Sequence, residues 1–387
     1  MPLSLLNRRP DSGLGNIRSS PSAPGRNIDW LLMVVHNLLA VIGLFVVYSA
    51  SWSKSASPFQ FVTRQEIFLI AAVLTMVVVM AVDYETWKER AGFFYGVTVI
   101  MLVLVIAMGA LRGGARLSFD IGPILVQPAE FAKITVLLAL AAYVSAEQSD
   151  RISYARFSGG LMLIGVPTAL IIIQPDLGSA SVIVAMAMGL LLIAGARAKH
   201  IFLITALAAM TVGAAVLTRI VSPYQLERIT VFVNSDKCRD PKIADLCFQV
   251  NNATKAIATG GLTGKGWLNG PITLSKDIPV QWADFPFSAV GEQFGLVGCG
   301  IILALYGVML FRIWRIAQLS RDQLGTLLCA GVFTMILWQV FQNVGMTIGL
   351  MPVTGLPLPF ISYGGSGLVA FYAMLGLVQS VHMRRYR

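Results

Sequence analysis

Charge is scarce in this sequence. Only 12% of its 387 residues are Asp, Glu, Lys or Arg, about half the share that a soluble domain uses to cover itself against water. Water is therefore not the chain's main solvent. Histidine is scarcer still: His36, His200 and His382 stand far apart, and with four cysteines they make no metal-ligand spacing, which excludes a cysteine–histidine metal cluster. Cys299 and Cys329 lie inside apolar stretches and read as small core fillers. A nucleotide-binding phosphate loop is missing too. The run Gly260-Gly261-Leu262-Thr263-Gly264-Lys265-Gly266-Trp267 has Gly266 where serine or threonine must follow the lysine, so no nucleotide cofactor is expected.

Apolar residues, at 56%, fill the gap. A bilayer core of about 30 Å takes about 20 mostly apolar residues per helix. Such stretches run from Trp30 to Val47, Ile67 to Val82, Ala91 to Ala110, Ile134 to Ala146, Phe157 to Ile173, Leu177 to Ala194, Ile201 to Leu217, Phe285 to Phe311, Leu324 to Leu350 and Leu368 to Val381. The fold class is thus an all-α integral membrane protein of about ten transmembrane helices. Lysine and arginine are retained on the cytoplasmic side, and the short connections agree when both termini are placed there: Arg8, Arg9, Arg18 and Arg26; Lys88 and Arg90; Arg151 and Arg156; Arg197 and Lys199; Arg312, Arg315 and Arg321; Arg384, Arg385 and Arg387. The net charge of +10 is then a topology signal and an attraction to anionic membrane lipids, with no nucleic-acid partner implied. Residues 1–28, rich in Ser, Pro, Gly and Arg, read as a disordered cytoplasmic tail rather than a cleaved leader. Residues 29–383 form the membrane domain, with an extracytoplasmic loop over 220–284 between helices seven and eight, and 384–387 form a short basic cytoplasmic end. Cys238 and Cys247 fall in that loop, where a disulfide can persist; whether they are bridged stays open.

Ionisable groups inside hydrocarbon cost about 2.5 to 3.5 kcal/mol each on insertion scales, so the exceptions point to sites. They collect at the outer face in four clusters. The first holds Arg116 and then Gln127, Glu130 and Lys133, spaced three apart along one helix face; a neutralising Glu130–Lys133 pair is the structural alternative. In the second, Gln174-Pro175-Asp176, the aspartate suits a helix cap as well as chemistry. The third joins the glycine run with Lys265, read as a loop beside a substrate, to Asp284 at the start of helix eight and Glu292 two turns in. Asp284 is the leading catalytic candidate, with an N-cap as its equal alternative; Glu292 needs a basic or hydroxyl partner. The fourth runs from Asn343 through Met351-Pro352-Val353-Thr354-Gly355-Leu356-Pro357-Leu358-Pro359 to Ser362-Tyr363-Gly364-Gly365-Ser366. Its prolines forbid a regular helix, and such backbone is tolerated at membrane depth where it is buried in protein or lines a cavity.

In this order the clusters, with Tyr48-Ser49-Ala50-Ser51 after helix one, resemble the SEDS family of bacterial shape, elongation, division and sporulation proteins, represented by RodA and FtsW. Met351 to Pro359 is more similar to RodA. The sequence departs from the family at Gly114-Ala115-Arg116-Leu117-Ser118, which lacks a tryptophan and shifts the register of Arg116, and at Ile278 to Ala283. The resemblance implies a peptidoglycan glycosyltransferase that polymerises lipid II into glycan strands, and it aligns Asp284 with the family's essential aspartate. It implies lipid II, the nascent glycan strand and a class B penicillin-binding protein as partners. Diphosphate is a good leaving group that cationic side chains or a divalent ion such as Mg or Mn can stabilise. Arg116 and Lys133 are the candidate diphosphate binders, Glu130 orienting Lys133, with Gln127, Asp176, Lys265, Glu292, Asn343, Ser362 and Ser366 as further substrate contacts. A lipid II transporter, for which broken helices also suit, and a noncatalytic cell-wall scaffold are the competing classes.

Overall fold

Helix starts in this chain are written in caps and prolines. Asp29, Asp83, Ser153, Asp176 and Asp322 each accept a backbone N–H from the first turn that follows, satisfying a donor that has no partner within the helix. Pro58, Pro128 and Pro286 occupy first helical positions, where their missing N–H costs nothing. A computed structural model describes residues 24–53, 57–112, 115–121, 124–146, 153–217, 227–228, 231–232, 244–275 and 277–386. Most of the predicted tail (residues 1–23), Cys238 and much of the predicted loop lie outside the described residues.

The long helices are α1 (Trp30–Ser51), α2 (Pro58–Ala81), α4 (Ala91–Met108), α5 (Pro128–Ser145), α6 (Tyr154–Ile173), α7 (Leu177–Ile193), α8 (Ala198–Leu217), α12 (Pro286–Gln318), α13 (Gln323–Thr347) and α14 (Gly365–Met383). These match the ten apolar stretches of the sequence. By length and composition eight are able to cross a membrane, and α7 is a shorter apolar helix. Also present are short helices α3 (Tyr84–Glu89), α10 (Pro271–Leu274) and α11 (Gln281–Asp284), the amphipathic α9 (Ala244–Gly260) and a 3₁₀ turn at Pro24–Arg26.

Burial separates inside from outside. Within the apolar windows 89% of α14, 72% of α5 and 67% of α13 is buried in protein, against 22% for α2 and α4, so the first three are central and the last two face the surroundings.

Between α4 and α5 the chain forms an antiparallel meander, β1 (Ala110–Arg112), β2 (Ala115–Ile121) and β3 (Ile124–Val126), which helix-period reasoning passed over. Its signal is local: Arg116, Ser118 and Asp120 alternate with Leu117, Phe119 and Ile121 between glycine-bearing turns. The sheet, α9, α10 and α11 all lie at one end of the bundle, the loop end. The opposite, basic end is tied by ion pairs: Arg312 to Asp29 at 2.6 Å and Arg384 to Asp83 at 3.2 Å. Arg384, expected in a short basic end, is buried and donates to Ser380 and to the carbonyls of Met80 and Ala81. Cys247 is disulfide-bonded, while Cys299 and Cys329 are free thiols.

Candidate active site

At the loop end a cavity of about 340 Å³ opens between α2, the sheet, the start of α5, α11, residues 355–357 and the start of α14. Its polar lining comes from Arg64, Ser118, Gln127, Glu130, Asp284, Tyr363 and Ser366. Four of these, Gln127, Glu130, Asp284 and Ser366, were site candidates from sequence; they are brought together from positions up to 239 residues apart.

Asp284 ends the single turn α11. The helix that follows is preceded by Phe285, with no side-chain cap, so the carboxylate of Asp284 does not serve the capping role that the sequence left open. Its backbone is fixed on both sides. Asp284 N–H donates to Val280 O at 3.2 Å, and its carbonyl accepts from Asn343 Nδ2 at 3.0 Å. Phe285 is buried beside Leu246, Ala253, Ile278, Met346 and Val353. Burial pushes the Asp284 carboxyl above the usual carboxylate range, and the positive charge of Arg228 pulls it partly back.

Glu130 and Lys133 form the neutralising pair, Nζ to Oε1 at 2.7 Å, both buried. Lys133 also lies over the Phe371 ring at 5.7 Å and does not line the cavity. The other Glu130 oxygen, Oε2, is buried without a hydrogen-bond partner and lies near Gly367, a residue of the cavity wall. Ser366 Oγ donates to Leu125 O at 2.7 Å and accepts from Gln127 N–H at 3.2 Å, joining α14 to β3 and α5.

The remaining candidates lie elsewhere. Arg116 is exposed and donates to Ala107 O. Asp176 caps α7 through Ser179 N–H at 2.9 Å and accepts from Gln127 Nε2 at 3.3 Å. Ser362 Oγ accepts from Leu358 N–H at 2.7 Å within its own turn. Asn343 is fully buried and reaches Leu356 O at 2.7 Å besides Asp284 O. With Gln342 on Pro352 O and Gln339 on Pro357 O, it satisfies the carbonyls of the proline segment, which is how that irregular backbone is held at membrane depth. Lys265 is exposed. Its backbone N–H donates to Glu292 O, and its glycine-rich surroundings are packed against α12 instead of lying loose beside a substrate. Glu292 finds the hydroxyl partner expected of it in Thr273.

Two cations near the carboxylates were not singled out from sequence. Arg64 of α2 lines the cavity, and Arg228 acts on Asp284 and stands against Gly355. A signal for Arg64 existed: the inferred topology puts it on the outer side, where the retention rule leaves arginine unexplained.

The FtsW/RodA/SpoVE family model, described as cell cycle protein, matches residues 29–387. The chain belongs to this family. It is 34% identical over 360 residues to stage V sporulation protein E of Bacillus subtilis, covering 91% of this chain and 96% of that protein. To the Escherichia coli K12 peptidoglycan glycosyltransferase MrdB it is 34% identical over 350 residues, covering 90% and 93%. Among solved structures, rod shape determining protein RodA of Thermus thermophilus superimposes with a TM-score of 0.69 at 28% identity, covering 93% of this chain and 98% of that one. A chain from a peptidoglycan synthase complex, described as coordinating polymerization and crosslinking, superimposes at 0.77 with 31% identity, covering 93% and 99%. As a family member, the chain is a multi-pass membrane protein.

Proposed function

We propose that this protein is a peptidoglycan glycosyltransferase that polymerises lipid II at the outer face of the cytoplasmic membrane, with both termini in the cytoplasm. One observation carries the reading: Asp284, free of any capping duty, shares a rim cavity with Arg64 and Glu130, in a chain similar to proteins named peptidoglycan glycosyltransferases.

In the reaction the acceptor's GlcNAc 4-hydroxyl attacks the anomeric carbon of the donor's MurNAc. Asp284 takes the hydroxyl proton as the new C–O bond forms. The bond to the diphosphate breaks, and undecaprenyl diphosphate departs with the electron pair, inverting the anomeric centre. A carboxyl whose pKa is raised by burial is a weaker acid and a stronger base, closer to what general-base catalysis needs. Arg64 is the cation placed to meet the leaving diphosphate, in the role that the sequence gave to Arg116 and Lys133.

Among the described residues no three acidic, cysteine or histidine side chains cluster for a metal. Mg²⁺ is commonly held by only one or two carboxylates plus substrate phosphates, and the unpartnered Glu130 Oε2 in the cavity wall fits such a site, leaving Asp284 to act as the base. A divalent ion there would neutralise charge on the departing diphosphate. A class B penicillin-binding protein is the partner in this reading.

The test is a gel assay of labelled lipid II with purified protein and Mg²⁺, with and without the partner. Wild type gives a glycan ladder. Asp284→Ala lowers the rate by about 10² to 10⁴, and Arg64→Ala loses far more activity than Arg116→Ala. A ladder that survives in Asp284→Ala moves the base elsewhere, and lipid II crossing a vesicle bilayer without polymer would replace the enzyme with a transporter.

A further inference from the structure

Helix α12 is broken. Gly295 has φ 64° and ψ −160°, a left-handed conformation open to glycine, and the helical ladder stops there. The glycine run supplies the lost bonds. Leu296 and Val297 N–H donate to the carbonyls of Gly261 and Leu262 at 2.9 and 3.1 Å, while Lys265 and Gly266 N–H donate to those of Glu292 and Gln293, both at 2.9 Å. This clamps the segment that leads into α10 against the first part of α12.

From that first part Glu292, fully buried, projects into α10. Its Oε1 accepts Ile272 N–H at 2.9 Å; its Oε2 accepts Thr273 N–H at 2.7 Å and the Thr273 hydroxyl at 2.6 Å. The close packing leaves no room at Gly270, where a Cβ would stand 2.6 Å from Oε2. Having given its proton to Glu292, the Thr273 oxygen can only accept, and it faces Gln281 Nε2 at 3.5 Å, the loosest link. Gln281 Nε2 also donates to Ser288 Oγ at 2.9 Å, which donates to Phe285 O at 2.7 Å. Gln281 opens the turn that Asp284 closes. A lone turn of four residues has no stability of its own, so this turn takes its position from outside.

We infer that Glu292 is the positioning residue for Asp284: acting through Thr273 and Gln281, it fixes the turn that presents Asp284 to the cavity, and it touches no substrate. The inference rests on Asp284 being the reactive carboxylate. The hydrogen-bond polarity demands a carboxylate at 292, because every neighbour in the chain is a donor towards it. In Glu292→Gln the amide offers one oxygen to two sites, so one backbone N–H loses its acceptor.

The experiment uses the full chain in lipid nanodiscs and compares wild type, Glu292→Gln, Thr273→Val and Thr273→Ser by amide hydrogen exchange and by lipid II polymerisation. In Thr273→Val and Glu292→Gln the amides of residues 281–285 exchange about tenfold faster, the equivalent of one lost hydrogen bond. Polymerisation falls by up to about 100-fold, as misplacement of a reacting group predicts, with kcat reduced and KM unchanged. Thr273→Ser, which keeps the hydroxyl, behaves as wild type in both. Wild-type exchange over 281–285 in Thr273→Val overturns the inference, as does a loss that resides in KM. Should Glu292→Gln fail to fold, the valine and serine variants decide. Should wild type make no polymer, exchange still decides the positioning role while the glycosyltransferase reading falls.

Discussion

The residue with most at stake is Asp284, and its raised pKa has a consequence for stability. Because the folded state holds the proton more tightly than the unfolded chain does, the group contributes stability that is full below the ordinary carboxylate range and is lost as pH rises through the raised value. Wherever the pH exceeds that raised value, the charged carboxylate is a cost to stability. Asp284→Asn should melt at or above the wild-type temperature at pH 7 to 8, and the difference should shrink as pH is lowered towards about 4. Polymerisation should show an acid limb above the ordinary aspartate value. Lower melting of the asparagine variant at neutral pH, measured by thermal scans in detergent, would contradict the assignment. Sequence made Asp284 conspicuous but left cap and catalysis equal; only the position of the next helix start at Pro286 removed the cap.

Among elements, the break in α12 and its glycine loop show how a motif can be visible and still be misread. The spacing of Gly260, Gly261, Gly264 and Gly266 looked like freedom beside a substrate. Three of them have positive φ, and at Gly264 a Cβ would stand 2.1 Å from Gln293 O, so the glycines permit contact between backbones. Gly264→Ala should cost on the order of 3 kcal/mol, combining a left-handed side chain with overpacking. Gly261→Ala, also left-handed but with nothing within 4 Å of its Cβ, should cost about 1 to 2 kcal/mol. Thermal unfolding in detergent checks the order; equal effects would mean that the loop gives way at Gly264. The polar side chains of Gln339, Gln342 and Asn343 on α13 are a second device that holds backbone in place. Spacing of three and four put the three on one face, but only the fold revealed that they hold the carbonyls of the proline segment.

Across the whole molecule, the basic residues read as topology signals also tie the bundle together. Arg312 pairs with Asp29, and Gln379 grips the Asp29 backbone through bonds of 3.1 and 2.9 Å, linking the first and last long helices. Arg321 bridges to Glu85 at 2.6 Å. If both termini are cytoplasmic, a cysteine placed by Lys255→Cys on the exposed face of α9 reacts with an impermeant maleimide from outside, and one placed by Glu89→Cys reacts only after permeabilisation. The opposite pattern would invert the topology and place Asp284 at the cytoplasmic face, away from any extracellular glycan.

The ten long apolar helices, eight of them able to cross a membrane, and several helix starts were legible in the sequence, because each depends on neighbours along the chain. Transfer of a helix into hydrocarbon is a sum over adjacent residues, and a cap is a bond across three. The site was legible only in part. Arg64, Glu130, Asp284 and Ser366 converge from four separate segments, and which face each helix turns inward is settled by packing against all the others. For the same reason Glu292 and Asn343, equally polar and equally conspicuous, went to holding backbone in place while Arg64 went to the cavity.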